Sequence, residues 1–260
     1  MLDRQPAPRD QQAPSSGGDA GRVHDTDSPD LRPVREAFLE VLSHELRTPI
    51  TTIYAGSSVL ARHAGLAPSA TRVLAGNICA EAARLYDVVE DLLVMARLER
   101  RILDPIDEPV LVQRAVDATI RVTMGRLDDA RIERRGDADV PPVHGDAIYV
   151  EQACRNLIMA SIHRARPQPG RQLVVDVRSH PDAGEVTVAV LDDGPGLPPE
   201  ELDRAFQLPG ASTVGRLGGS GVGPFVCRLL VEAMGGRVWA RNRPGGGLAM
   251  GFALAIDDHP

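Results

Sequence analysis

The segment Ser43-His44-Glu45-Leu46-Arg47-Thr48-Pro49 brings an imidazole, a carboxylate and a hydroxyl onto one short stretch. A neutral imidazole exposed on a helix is a competent nucleophile near neutral pH. A neighbouring carboxylate can hold its tautomer and accept the second nitrogen's proton while the first attacks phosphorus. His44 and Glu45 have the types for those roles. Thr48 falls one helical turn after His44, on the same face, where its hydroxyl can position a water. Pro49 removes a backbone donor, leaves the Glu45 carbonyl without its usual partner and favours a bend. A lone histidine is most often an ordinary surface residue, but His-Glu-x-x-Thr-Pro on an amphipathic helix is a much rarer combination.

A second group lies at Leu191-Asp192-Asp193-Gly194-Pro195-Gly196, directly after an apolar run. A carboxylate at a strand end can accept a hydrogen bond from an amino group such as that of adenine, and Gly194 and Gly196 let the backbone turn closely beneath a base. Taken alone, the pattern is also a common turn. Some twenty residues later Gly218-Gly219-Ser220-Gly221-Val222-Gly223 precedes a helical pattern. Gly219, Ser220, Gly221 and Gly223 would present backbone amides and a helix start to phosphate oxygens, although such a loop also serves as a hinge. No Gly-Lys-Ser/Thr follows, so this is not a Walker loop.

These residues need elements to hold them. Leu39, Leu42, Leu46, Pro49, Ile53, Gly56 and Leu60 alternate spacings of three and four, as do Leu74, Ile78, Glu81, Leu85, Val88, Leu92 and Met95. Two such seams predict two helices, and the breakers Gly65-Leu66-Ala67-Pro68-Ser69 between them predict an antiparallel hairpin. On this reading His44 falls between seam positions and faces solvent. A lone hairpin leaves apolar surface uncovered, so pairing into a four-helix bundle, and hence a homodimer, is expected. Asp104 to Pro109 breaks the pattern as a linker. Beyond it, 111–124, 146–165 and 222–234 read as helices. The runs 173–177, 186–190 and 248–256 read as strands of a mixed sheet with helices on one face.

At 260 residues, two modest domains are expected. Residues 1–30 are rich in Pro, Gly, Ser, Asp and Gln, without an apolar period, and read as a disordered leader. A dimerisation domain over 31–103 and a second domain over 104–260 follow. A formal net charge of -7 argues against a broad nucleic-acid surface, and all 29 basic residues are arginine. Cys79, Cys154 and Cys227 have no metal-ligand or pairing spacing and read as small buried hydrophobes in a reducing compartment. No stretch approaches the roughly 18 to 20 apolar residues of a membrane span, so a cytoplasmic chain that does not itself sense across a membrane is expected.

Residues His44 to Pro49 match at every position the phosphoacceptor box of sensor histidine kinases. The Asp192 and Gly218–Gly223 motifs resemble the G1 and G2 boxes of the GHKL ATPases, a group that includes gyrase-type topoisomerases and Hsp90-type chaperones. The resemblance covers about residues 34–257. It implies an α+β chain: a helical hairpin forming a dimeric four-helix bundle, followed by a GHKL (Bergerat) α/β sandwich that binds ATP. It implies phosphorylation of His44 from ATP with Mg2+, then transfer to an aspartate of a response regulator receiver domain. By the same resemblance a lid spans roughly Leu197 to Gly218, with Phe206 in the place of its aromatic. The helix 150–164 resembles the N box, whose pattern Asn-Leu-x-x-Asn-Ala-x-Lys starts at Asn156 and Leu157; but the second Asn, the usual Mg2+ ligand, is Ala160, and the Lys is His163. Magnesium takes few oxygen ligands from a protein, so this loss is expected to weaken its placement. Asn156, one turn earlier, can bind the metal through water, and His163 can meet phosphate if protonated. Two readings stay open: an active kinase, and a degenerate module that acts as a response-regulator phosphatase or scaffold.

Overall fold

The computed structural model describes residues 32–63, 65–99, 103–125, 131–165, 172–208 and 222–257. The leader and Gly218 to Gly221 lie outside the described residues, as does the His44 side chain. Two long helices open the fold, α1 (Arg32–Arg62) and α2 (Pro68–Glu99), packed against each other as the seams predict. Proline is favoured at the first helical position, where its missing N–H costs nothing, and Pro68 starts α2. Pro49 lies inside α1, which is helical on both sides of it. Gly56 sits where α1 approaches α2 closely, since a methyl group there would come within 3.0 Å of Ile78 Cγ1.

The first seam is shifted at its start. Leu39 is half exposed, and the buried residues of that turn are Phe38, Val41 and Leu42. They face the second domain as well as α2. Cys79 is exposed rather than buried, whereas Cys154 and Cys227 are in the core, where loss of hydration pushes the Cys154 thiol up to about 12 and Cys227 well above its ordinary value.

The expected linker from Asp104 to Pro109 overlaps the first strand of the second domain. Strand β1 (Glu108–Val110) pairs antiparallel with β3 (Val143–Gly145), so part of the expected linker is sheet. Helix α3 (Val112–Met124) and helix α4 (Ala147–Ala165) follow the predicted spans. Five strands, β2 (Arg131–Gly136), β4 (Gln172–His180), β5 (Glu185–Leu191), β6 (Arg237–Asn242) and β7 (Leu248–Ala255), form one sheet in the order β2-β4-β5-β7-β6. β2 and β4 run parallel and the other pairs antiparallel, which makes the sheet mixed. Two helices complete the chain order: a single turn, α5 (Pro199–Leu202), and α6 (Val222–Ala233).

Alternate residues of three strands, including Val175 and Val177, Val186 to Val190, and Leu248 to Leu254, meet Val116, Leu157, Ile158 and Val231 in one core. This is the helix layer on the sheet. β7 is buried on both faces over all but its last residue, because its other face carries the small residues Ala249, Gly251 and Ala253. Gly251 is directly opposite Trp239 of β6, and a methyl group there would come within 2.6 Å of the indole.

Candidate functional site

Asp146 starts the helix that carries the N-box-like residues. Its Oδ1 accepts the N–H of Ile148 at 2.8 Å and of Tyr149 at 3.3 Å, an N-cap geometry, and its Oδ2 accepts Ile106 N–H at 3.1 Å. The cap thus fixes both α4 and the chain entering the second domain. Along α4, Asn156 and Ala160 lie a turn apart, with His163 close behind, and all three line one cleft with Gly223 and Pro224 of α6 and with Arg84, Asp87 and Asp91 of α2. A methyl group on Gly223 would lie 3.3 Å from the Asn156 carbonyl oxygen, so glycine lets the start of α6 approach α4.

The hairpin closes this cleft. Phe38, Val41 and Leu42 of α1 and Val88, Val94 and Met95 of α2 form one apolar cluster with Tyr149 of α4 and Val222, Phe225, Val226 and Leu230 of α6. Beside it, Asn156 Nδ2 donates to Asp91 Oδ1 at 2.9 Å. Burial pushes the Asp91 carboxyl up to about 7, partly opposed by the Asn156 bond and the charge of Arg155. Burial, with Arg84 nearby, pushes His163 down to about 4. A neutral His163 at physiological pH does not supply the phosphate-binding cation that its position suggested.

Glu45 is 3% exposed, and its Oε2 accepts a bond from Arg84 Nη2 at 2.8 Å. The carboxylate next to His44 is thereby tied to α2. Thr48 is exposed on the outer side of α1, and its carbonyl accepts the Thr52 hydroxyl at 3.2 Å.

Asp192 follows β5 and is 1% exposed. Its Oδ1 accepts Gly194 N–H at 2.8 Å and Leu248 N–H at 3.3 Å. Its Oδ2 accepts Arg164 Nη2, and Arg164 Nη1 donates to the Pro195 carbonyl. Arg243 Nη1 holds the Asp192 carbonyl at 2.6 Å. Gly196 is required by Asn242, whose side-chain amide clamps Leu197 through N–H to Oδ1 and Nδ2 to carbonyl bonds of 2.8 Å each, because a methyl group on Gly196 would lie 2.6 Å from that Oδ1. Leu197 and Phe206 are buried in the first part of the expected lid, of which residues 209–218 fall outside the described residues.

The structure therefore brings Asn156, Gly223, Gly194, Gly196 and Asp192 into one domain, with the hairpin that carries Glu45 and Thr48 packed against its open side. Sequence reasoning missed Arg84, Asp91, Arg164 and Asn242. Asp91 carried a readable signal, an acidic residue flanked by Val88 and Leu92 of an apolar seam; the partners of Arg164 and Asn242 are set by tertiary contacts alone.

Residues 34–101 match the His Kinase A (phospho-acceptor) domain family, and residues 145–258 match the histidine kinase-, DNA gyrase B- and HSP90-like ATPase family. Sensor protein KdpD of Mycobacterium tuberculosis is 31% identical over 241 residues, 87% of this chain and 27% of that protein. Sensor protein CutS of Streptomyces coelicolor is 28% identical over 227 residues (85% and 53%), and sensor histidine kinase CpxA of Escherichia coli is 27% identical over 234 residues (85% and 47%). The chain spans about half or less of the length of these curated relatives. In fold it resembles the Acinetobacter baumannii histidine kinase AdeS, with a TM-score of 0.58 at 21% identity over 83% of this chain and 98% of that one. It also resembles histidine kinase ThkA in complex with response regulator protein TrrA, with a TM-score of 0.56 at 18% identity over 92% of this chain and 68% of that one. Among the described residues no helix is long and apolar enough to cross a membrane. A phosphoacceptor-type hairpin followed by an ATPase-type mixed sheet, each matched by its own family, places this chain among the sensor histidine kinases of two-component systems.

Proposed function

We propose that the chain phosphorylates itself on His44 from ATP and passes the phosphoryl group to an aspartate of a response regulator. The observation that carries this reading is the packing of the His44 helix against the same α6 whose start follows the glycine-rich loop. In the proposed step an imidazole nitrogen of His44 forms a bond to the γ-phosphorus as the bond to the ADP oxygen breaks. Glu45, steadied by Arg84, takes the proton of the other nitrogen. Thr48 positions a water on the same face for a separate hydrolytic reaction, in which the water oxygen bonds to the phosphorus of the regulator's aspartyl phosphate as the bond to the aspartate oxygen breaks. The protein's part is mainly positioning and charge neutralisation.

The base would sit at Asp192, Gly194 and Gly196, and the phosphates at Gly219, Ser220, Gly221 and Gly223. Magnesium needs oxygen donors, and the Asn156 side chain still offers its Oδ1, since only Nδ2 is given to Asp91. Asn156 is thus the residue that fits as a metal ligand, directly or through water; Ala160 offers only a methyl group. When bound, the ion would neutralise charge on the phosphates.

The protein would act as a homodimer in the cytoplasm. Ile50 and Tyr54 of α1 and Tyr86 and Leu93 of α2 are exposed, Tyr54 by 70%, and their spacing of about one or two turns makes apolar stripes that a second hairpin would cover. A second reading, a phosphatase or scaffold working through the His44 and Thr48 surface, draws support from Ala160.

Incubation with γ-labelled ATP and several divalent metals tests both. The kinase reading expects acid-labile, base-stable label that disappears in His44→Gln. Restoring an amide with Ala160→Asn should raise Mg2+-dependent labelling, since one good ligand or charge-assisted contact is worth ~1.5 to 3 kcal/mol, roughly tenfold to a hundredfold. Strong Mg2+-dependent labelling that Ala160→Asn does not improve would mean that another group has taken over the metal. No label in either form, with regulator dephosphorylation that depends on Thr48, would establish the second reading.

A further inference from the structure

Arg164 lies at the end of α4, and its side chain is 3% exposed. Two of its nitrogens are engaged, Nη2 with Asp192 Oδ2 and Nη1 with the Pro195 carbonyl. Its Nε is buried and has no acceptor among the described residues. The guanidinium is therefore held by the turn after β5 without being fully satisfied, which is a costly state for a buried donor.

The acceptor side is the more telling. A carboxylate offers about four lone-pair directions. In Asp192 the Gly194 and Leu248 amides take Oδ1 and Arg164 takes Oδ2, at a residue 1% exposed. An exocyclic amino group seeking this carboxylate meets a guanidinium already in its place. Asp192 is also held independently of Arg164, by the two backbone N–H bonds to its Oδ1 and the Arg243 clamp on its carbonyl.

Resting on the ATP-binding reading above, we propose that Arg164 is an internal occupant of the base end of the nucleotide site, so that adenine reaches Asp192 only by displacing the guanidinium. The residue sets the affinity for the base, not for the phosphates. It does so by competition for space, since at a carboxylate only 1% exposed the guanidinium fills the approach to Oδ2 that a second donor would need.

The test is the affinity of adenosine, ADP and ATP, measured by calorimetry, for the unaltered chain, Arg164→Ala and Arg164→Gln. Displacement predicts that both variants bind all three ligands more tightly, by roughly tenfold to a hundredfold, the worth of one charge-assisted hydrogen bond. The gain should be equal for adenosine and ATP, because it arises at the base. Guanidinium ion, added far below denaturing concentration, should compete with adenosine in the alanine variant, and sodium at the same concentration should not. Arg164→Gln keeps an uncharged hydrogen-bonding side chain in the pocket should the alanine variant not fold, and circular dichroism verifies each fold. Adenosine binding that is unchanged or weaker in a folded variant overturns the proposal and makes Arg164 a supporting wall of the site. Should neither variant fold, Arg164 is a structural part of the domain, not a displaceable occupant. Binding of no nucleotide by any form overturns both this inference and the ATP reading, whereas ATP binding that Arg164 does not influence overturns this inference alone.

Discussion

Replacing His163 by glutamine should change how stability responds to acid, and the sign follows from where the imidazole sits. In the folded chain burial, with Arg84 nearby, lowers its proton affinity from 6.5 to about 4. In the unfolded chain it titrates normally. Above pH 6.5 both states are neutral and nothing is lost. Between about 6.5 and 4 the unfolded state binds a proton that the folded state refuses, so stability falls as pH falls. Each pH unit costs ~1.4 kcal/mol, and ~2 kcal/mol is lost by pH 5. The ring edge retains some exposure, which makes these figures upper bounds. Asp91 in the same cleft works in the opposite sense: its folded value is raised from 3.8 to about 7, so it favours the folded form increasingly as pH falls from 7 towards 3.8. The two effects offset each other in the unaltered chain. They separate in the difference between the chain and His163→Gln, where Asp91 is common to both. Glutamine has no proton to bind, so the variant should gain on the unaltered protein as pH falls, by up to ~4 to 8 °C in Tm at pH 5 relative to pH 7.5. Thermal melts followed by circular dichroism at the two pH values measure it. A Tm difference that is the same at both would refute the desolvation argument.

Two other outcomes are expected. Gly247 has φ +95° and faces the Asp192 carbonyl so closely that an added methyl group would lie 2.0 Å from its oxygen, whereas Gly245 has φ +90° with nothing nearby. In urea titrations Gly245→Ala should cost only backbone strain of ~1 to 3 kcal/mol, while Gly247→Ala should cost more and also weaken ADP binding by displacing Asp192; equal costs with intact binding would disprove the close-approach account. Light scattering should give twice the sequence mass at micromolar concentration, and Tyr54→Arg, placing charge on the 70%-exposed apolar position of α1, should shift the mass towards the monomer without changing the melting of the second domain. A monomer before substitution would rule out the four-helix arrangement.

Long elements with strong periods were readable in advance. The seams of α1 and α2 and the spans of α3, α4 and α6 lie within a few residues of those expected, because apolar spacing alone determines which face of a long helix is buried. The edge strands were not readable. β2 carries Arg131, Glu133, Arg134 and Arg135 and buries only Ile132, and β6 has no fully buried residue, so neither shows a clean period. Leu39 and Phe38 exchanged roles because the seam was read for one partner helix, while that end of α1 also meets α6. At the site, residue types were legible and pairings were not. Asp192 was recognised from its glycines, but its bond to Arg164 and the Asp91 to Asn156 bond join side chains from distant elements. No local period reports such contacts.

The order of strands also bears on how the chain is made. β7, the last strand described, lies between β5 and β6 and is the sole partner of β6 in the sheet. A ribosome delivers residues in sequence, so β5 emerges with one long edge bare and β6 with both, and neither can be covered until residues past 248 have left the exit tunnel. During that interval the valine-rich β5 presents an open strand edge of the kind that pairs with other chains. The sheet therefore closes only after β7 has been made. A message truncated shortly before Leu248 would release a chain with every motif of the site but with the sheet split in two and β5 unprotected.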